Sequence, residues 1–443
     1  QVAISTINIA LLGSLGVSEV AAGGLALVLF NQIRTMCVGL ITASGNQVAT
    51  AASRAEQRRR AGEDVACEPE IREVVRSSFL IATAAGLIGA AILIGLGWSL
   101  QWLGQDATVL AHARLMLVAL APGLLPCLWF QVLRQYTVGM QKPQALLLVT
   151  LGSVAVNLVV ALALIHGWAG LPTCGSTGIG ITSSVVFLVT FGVFWMMVRR
   201  DPVLGPTLAV RMWPVRLRTV ADELRLGTPI ALTYGCEAGM FSVLALAMGT
   251  LGPAALAAHN VVYQLVYIVF QIAVGLSHGV SILVSGAVAG AEYRRARTLA
   301  RLVLRHAAVV AAVAGLVYIT AGDLVLRPFL SGHDQATADI AHTLLLIAIV
   351  LQFFDAAQNI GNGLLRGVRD TKAGFGLSLV GYWIVGLPVA LVLAFPLGWG
   401  AAGVWCGLTA GLAATAALML RRYFAVLRER ERQVRPQFAG SPS

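Results

Sequence analysis

The sequence predicts an all-α polytopic membrane protein, with twelve transmembrane helices arranged as two six-helix lobes. Three observations carry this prediction: the composition, the recurrence of long apolar runs, and the alternation of basic residues between those runs. Hydrophobic residues make up 58% of the 443-residue chain, only 12% are charged, and the mean hydropathy is +0.81. An ordinary soluble domain carries about 25% charged residues. A chain with half that supply cannot cover its own surface with polar groups, so most of it faces lipid. A cytosolic enzyme, a secreted disulfide scaffold and a disordered tail protein are thereby excluded. Cysteines 37, 67, 127, 174, 236 and 406 lie mostly within apolar runs, with no CxxC pair and no metal-ligand spacing. They read as small core residues. All basic residues except Lys142 and Lys372 are arginine, a usage that points to a GC-rich bacterial genome and hence to a bacterial plasma (inner) membrane.

A membrane-spanning helix takes about 20 mainly apolar residues. Eleven runs are long enough: 21–50, 77–103, 111–133, 145–166, 178–198, 227–249, 255–289, 302–330, 339–364, 373–395 and 401–420. A twelfth, Gln1–Leu12, is apolar but too short to cross, and is read as a first helix clipped at its N-terminus. Arginines concentrate in the gaps 53–76, 199–226 and 290–301 and in the 421–443 tail, while Arg134, Lys142, Arg366, Arg369 and Lys372 occupy 134–144 and 365–372. The alternate gaps, 13–20, 104–110, 167–177, 250–254 and 396–400, hold no Lys or Arg. Basic residues favour cytoplasmic loops, so this alternation puts both termini in the cytoplasm and requires an even number of spans. The net charge of +11 is then an orientation signal, and no nucleic-acid partner is expected.

The spans repeat. Residues 13–22, GSLGVSEVAA, match 249–258, GTLGPAALAA, at five of ten positions with an offset of 236. Gly139, Ala145 and Leu151 recur as Gly367, Ala373 and Leu379, offset by 228, and a GxxG opens the last helix of each half at Gly175 and Gly400. The predicted organisation is an N-terminal lobe at 1–198, a basic cytoplasmic linker at 199–225, a C-terminal lobe at 226–422 and a cytoplasmic tail at 423–443. Two parallel six-helix repeats suit a transporter with a central cavity.

Two acids sit inside apolar runs, Glu237 about ten residues into its helix and Asp355 about sixteen into its own. An acid at the bilayer centre costs roughly 2.5–3.5 kcal/mol on insertion scales, so such a residue points to function. A buried carboxylate exchanges protons or binds a small hard cation. Asn359 and Asn362 fall on nearly the same helix face as Asp355, with Gln358 beside them, and can supply amide oxygens or hydrogen bonds. Tyr263, Gln264 and His278 are further candidates to line a cavity, although a satisfied core role suits His278 better. Arg34 lies mid-span and needs water, a carboxylate such as Glu237 or Asp355, or an anionic group on a cargo. Pro122, Pro126 and Pro388 interrupt spans and free backbone carbonyls, which makes them hinge candidates.

Several stretches resemble the multidrug and toxin extrusion (MATE) family. Gly227-Thr-Pro229-Ile-Ala-Leu, Glu237-Ala-Gly-Met-Phe-Ser-Val and Leu251-Gly-Pro-Ala-Ala-Leu-Ala-Ala-His259-Asn260 look like its seventh and eighth helices. Asp355-Ala-Ala-Gln358-Asn-Ile-Gly-Asn-Gly363-Leu-Leu-Arg366-Gly367-Val-Arg-Asp370-Thr371-Lys372, followed by Tyr382-Trp383 and Gly386-Leu387-Pro388, continues the match. The resemblance runs in order from about residue 5 to residue 422, and it fits the NorM-like branch, which carries acids in helices seven and ten. It implies an antiporter that exports organic, often cationic, compounds. Na⁺ or H⁺ would couple at Glu237 and Asp355, with no cofactor. The expected partners are a small organic substrate and the lipid bilayer, and the expected assembly is a monomer. Family members usually carry an aspartate in the first helix where this chain has Asn8, which puts coupling through the N-terminal lobe in doubt.

Other classes fit less well. A membrane-embedded enzyme such as a prenyl or acyl transferase would show DDxxD, HxxxxD or HExxH spacing, and none occurs. No P-loop is present, which excludes ATP-driven transport by this chain. A flippase for a lipid-linked or large amphiphilic precursor shares the two-lobe design, but would carry a cavity dominated by arginine, for which only Arg34 and Arg114 are candidates. Isolated buried acids favour an alternating-access machine over a permanent channel.

Overall fold

A computed structural model of the protein describes residues 17–60, 68–99, 107–166, 175–208, 214–330 and 335–438. Among these, the only extended secondary structure is helical, and eleven helices are long and apolar enough to cross a membrane. They correspond in order to the eleven full-length runs. The short first run and Asn8 lie outside the described residues.

The chain forms two compact units, Gln1–Ala231 and Leu232–Ser443. The first holds α1 (Val17–Arg60), α2 (Glu68–Ser99), α3 (Ala107–Gly139), α4 (Gln144–His166), α5 (Gly175–Arg200) and the opening turns of α6 (Leu217–Thr250). α3 is its central helix and packs on α1, α2 and α5, while α4 lies against α5. The core between them is filled by Phe30, Met116, Leu120, Leu124, Tyr136 and Phe194. The second unit holds the rest of α6, then α7 (Pro253–Ala289), α8 (Tyr293–Leu330), α9 (Gln335–Gly367), α10 (Thr371–Ala394) and α11 (Gly400–Phe438). Here α9 is central and packs on α7, α8 and α11, with α10 laid along α11. Large apolar side chains such as Leu147, Leu148 and Leu151 on α4, and Leu316 and Ile319 on α8, point outward. Lipid is the solvent that makes such a surface stable.

The sequence repeat has a physical counterpart inside each unit. A side chain at Gly139 would meet the Gly45 carbonyl oxygen at 2.7 Å, and one at Gly367 would meet the Ser281 carbonyl oxygen at 2.9 Å. The 236-residue offset carries Gly45 onto Ser281, and the 228-residue offset carries Gly139 onto Gly367. The same close approach of backbones therefore closes the C-terminal end of the central helix in both units. Small residues at these crossings are what membrane helices use to approach closely.

The proline candidates differ from one another. α3 runs as one helix through Pro122 and Pro126. In α10, by contrast, a π-helical stretch, Val380–Gly386, separates Thr371–Leu379 from Leu387–Ala394. Pro388 cannot donate to the carbonyl of Ile384, and a wider turn absorbs the freed group.

The basic segments beyond the spans are held by the units they adjoin. In the 199–225 linker, Asp201 Oδ1 accepts from the Val203 and Leu204 amides (2.8 and 2.9 Å), Tyr136 donates to the Leu204 carbonyl (2.7 Å), and Arg72 Nε donates to the Pro206 carbonyl (2.9 Å). Those amides hold the Asp201 carboxyl below its usual range. Residues 217–225 already belong to α6, and α11 continues through 423–438. Its extension is tied down by Arg422 to Asp370 (2.7 Å), by Arg430 to the Val368 carbonyl (2.8 Å) and by the Arg297–Glu431 pair.

Two outcomes follow for stability. Gly367→Val should cost about 1–3 kcal/mol through overpacking and lower the melting temperature in detergent, whereas Gly376→Val, where nothing lies within 4 Å, should leave it nearly unchanged. The lowered Asp201 carboxyl stabilises its turn above the usual carboxylate range and loses that effect only as pH falls through its depressed value. Protection factors of the Val203 and Leu204 amides against hydrogen exchange, corrected for the intrinsic rate at each pH, should be high at neutral pH and fall in acid.

Candidate functional site

α9 is apolar towards its start and turns polar from Gln352 onward. Asp355, Asn359, Asn362 and Arg366 recur at intervals of four, three and four residues, which places them on one helical stripe. All four are buried, Asp355 at 4% and Arg366 at 3% exposure. So many polar groups stay inside protein because α7, α8 and α11 surround this helix. Asn359 Nδ2 donates to Asp355 Oδ1 (3.1 Å) and to the Asp355 carbonyl (3.1 Å). The amide therefore steadies one carboxylate oxygen and reinforces the local turn.

α6 brings in Glu237, 8% exposed. Its Oε1 is fully buried and has no hydrogen-bond partner among the described residues. Glu237 and Asp355 lie within each other's electrostatic reach, and Tyr263 and Tyr382 lie within reach of both. The neighbouring Cys236 is fixed by Trp383 Nε1, which donates to its Sγ at 2.8 Å. Two carboxylates buried within electrostatic reach of one another in low dielectric are costly to keep both ionised and uncompensated. Such a pair can take up a proton, or it can present oxygens to a small cation. Among the described residues no cluster of three or more His, Cys, Asp or Glu side chains is arranged for a metal ion.

α7 supplies an aromatic row beside the acids. Tyr263 packs on Phe241 (centroids 5.2 Å), stacks on His259 (5.9 Å) and is followed by Tyr267 and Phe270. His259 accepts from Trp405 Nε1 at 3.1 Å through its Nδ1, so the neutral ring carries its proton on Nε2. Its role is to hold α7 against α11.

The structure thus brings Glu237, Asp355, Gln358, Asn359, Asn362 and Tyr263 into one unit and buries the first five. Gln264 and His278 are half-buried on α7, and His278 has an interaction of its own. Arg34 belongs to the first unit, where it donates to Asn31 Oδ1 (3.1 Å) and lies in hydrogen-bonding reach of Cys127.

Three residues escaped the sequence reading. Arg366 was counted among the loop cations, yet it is buried, with Nη1 donating to Tyr234 Oη (2.8 Å) and Nη2 to Ser277 Oγ (2.9 Å). Following the Asp355 stripe one step past Asn362 would have found it. Tyr382 entered only as part of a motif, and its buried hydroxyl has no partner among the described residues. Glu223 was assigned to the linker, where an acid is normally solvated. Instead it is 2% exposed in the first unit and accepts from Ser78 Oγ at 2.8 Å.

Comparison with known proteins is consistent with this architecture. The MatE family model matches residues 1–163 and 229–392. A "Probable multidrug resistance protein NorM" from Pseudomonas aeruginosa is 32% identical over 410 residues, covering 92% of this chain and 82% of that protein. A relative of the same name from Bradyrhizobium diazoefficiens is 32% identical over 441 residues, covering 96% of this chain and 89% of its own length. Among solved structures, an "Outward-facing conformation of a multidrug resistance MATE family transporter of the MOP superfamily" superposes with a TM-score of 0.87 at 14% identity, over 98% of this chain and 93% of that one. The "eukaryotic MATE transporter AtDTX14" gives 0.82 at 20% identity, over 97% and 94% of the two chains. At these identities the superpositions speak to fold.

Removing the donor to Glu223 isolates what its burial costs. Ser78→Ala leaves a buried carboxyl oxygen without its partner, a loss of about 1–3 kcal/mol. Thermal unfolding in detergent should register it, and Ser78→Thr should restore most of the stability.

Proposed function

This chain belongs to the MatE family of membrane transporters, and from that premise we propose that it is a Na⁺- or H⁺-coupled antiporter exporting organic, cationic or drug-like compounds. It is a multi-pass membrane protein and a transporter rather than an enzyme. One observation carries the finer reading: Glu237 and Asp355 are buried within each other's field, and Glu237 Oε1 is buried without a partner among the described residues. A pair of carboxylates held in this way attracts a monovalent cation, and binding one relieves their repulsion. The aromatic row at Tyr263, Tyr267 and Phe270 offers π faces to a cationic organic cargo.

Exchange needs differential affinity. A cation at the acids must stabilise a different state from the one the cargo stabilises, or the two must compete for one site. In this reading the ion enters from outside and the cargo leaves in its place, by alternating access. The alternation of basic gaps supports an orientation with both termini in the cytoplasm, within a bacterial inner membrane. The relatives from Pseudomonas and Bradyrhizobium are named for multidrug resistance, which supports a broad, drug-like cargo.

The test is dye and antibiotic efflux from cells lacking their own pumps, with the protein expressed from its complete gene. Wild type should export, and Glu237→Gln and Asp355→Asn should each lower efflux at least tenfold. Dependence on external Na⁺ identifies the ion as sodium, and persistence without it identifies protons. Undiminished efflux by both variants would make the acids structural. A wild type that exports no drug or dye but moves a lipid-linked precursor would instead make it a flippase.

A further inference from the structure

The buried Arg366 is not explained by a pair of acids that only binds a cation. It lies on α9 three turns beyond Asp355, at 3% exposure, and a guanidinium stays charged at any physiological pH. Leaving a charge in such a place costs several kcal/mol unless an opposite charge compensates it. Its hydrogen bonds lead towards the acids. Nη1 reaches Tyr234, which precedes Glu237 by one turn on α6. Nη2 reaches Ser277, whose hydroxyl donates to the Asn359 carbonyl at 2.6 Å, and the Asn359 side chain in turn donates to Asp355. One chain of polar groups therefore links Arg366 to Asp355 and to the turn before Glu237, and Arg366 lies within electrostatic reach of Glu237 itself.

The neighbouring His259, Tyr263, Tyr382 and Cys236 add no net charge. His259 is neutral, as its bond from Trp405 requires, Tyr263 and Tyr382 are phenols, and Cys236 is a thiol that accepts from Trp383. Asp370, the next acid along the chain, is paired with Arg422 at 2.7 Å. His278 follows Ser277 by one residue, about 100° around α7, is half-buried and has an interaction of its own.

We infer that Arg366 is the fixed internal counter-cation of the Glu237–Asp355 pair and sets the capacity of the site at one monovalent cation. This rests on the reading of those acids as the coupling site. Two carboxylates and one guanidinium leave a single negative charge, which one Na⁺ or H⁺ neutralises. The built-in positive charge also weakens the hold on the incoming ion, which favours its release. Without Arg366 the pair would hold two cations, or one far more tightly. With one acid neutralised and Arg366 in place, the cluster would already be neutral and would bind none.

The experiment counts cations on the purified full-length chain in detergent. Radioactive sodium is used at alkaline pH, and proton uptake is measured by potentiometry in sodium-free solution. The Glu237→Gln/Asp355→Asn double variant is the baseline for both. Wild type should bind one cation above that baseline. Asp355→Asn should weaken binding at least a hundredfold although Glu237 is intact. Arg366→Met should tighten binding at least tenfold and admit a second cation, while Arg366→Lys should keep the count at one. The decisive arm is Arg366→Met combined with Asp355→Asn, which restores the single negative charge and should return binding of one cation. Failure of that combination to restore binding, or wild-type affinity in Asp355→Asn alone, overturns the inference. Should Arg366→Met not fold, Arg366→Gln removes the same charge, and the Asp355→Asn arm decides without either. A wild type that binds nothing above baseline fails the antiport reading instead, which separates the two results.

Discussion

A carboxylate inside a lipid-embedded helix bundle costs several kcal/mol unless neighbouring groups hold it, and the second unit is organised around two of them. Asp355 is steadied by Asn359 one turn away, Glu237 faces it from α6, and the stripe ends in a buried guanidinium at Arg366. These polar groups exclude lipid from the α9 surface. The helix that carries them must therefore be the central one, wrapped by α7, α8 and α11. Close backbone crossings follow from that demand. A side chain at Gly363 would overlap the carbonyl of Ser277, the residue whose hydroxyl serves both Arg366 and Asn359.

The first unit repeats the central-helix packing without an acid at the position that corresponds to Asp355. Its central helix α3 closes on α1 through Gly139 and Gly45, as α9 closes on α7 through Gly367 and Ser281. Carried through the 228-residue offset, Asp355 falls on Cys127 and Asn359 on Gln131. The position that holds a carboxylate in one half holds a thiol in the other, with Arg34 beside it. The buried acid stripe is therefore a feature of the second unit, and on the proposed function the cation-coupling chemistry would sit there.

How much of this could be read in advance depended on whether the signal was local. The eleven full-length spans, their order and the repeat were legible because lipid imposes a length and a composition on every crossing helix. Glu237 and Asp355 were legible because acids in such runs have no bland explanation. Arg366 was not, since a basic residue near a span end looks the same whether it enters a loop or turns inward among Tyr234 and Ser277. Glu223 was hidden for the same reason, placed by composition in a basic linker while the fold buries it against Ser78. The π-helical turn of α10 was signalled only by Pro388.

The sequence by itself determined that this protein lives in a membrane, that it is built from two related halves, and that two acids sit where acids are costly. Each of these follows from solvent: lipid selects apolar runs, loop charges record their sides, and buried carboxylates stand out against both. Only the tertiary structure decided which polar groups share a site. The stripe on α9 could have faced any neighbour; packing against α7 and the Arg366–Tyr234 bond to α6 brought Asp355, Ser277 and Arg366 together within electrostatic reach of Glu237. Charge balance belongs to that cluster rather than to any segment, because electrostatic coupling depends on distance through the fold and not along the chain.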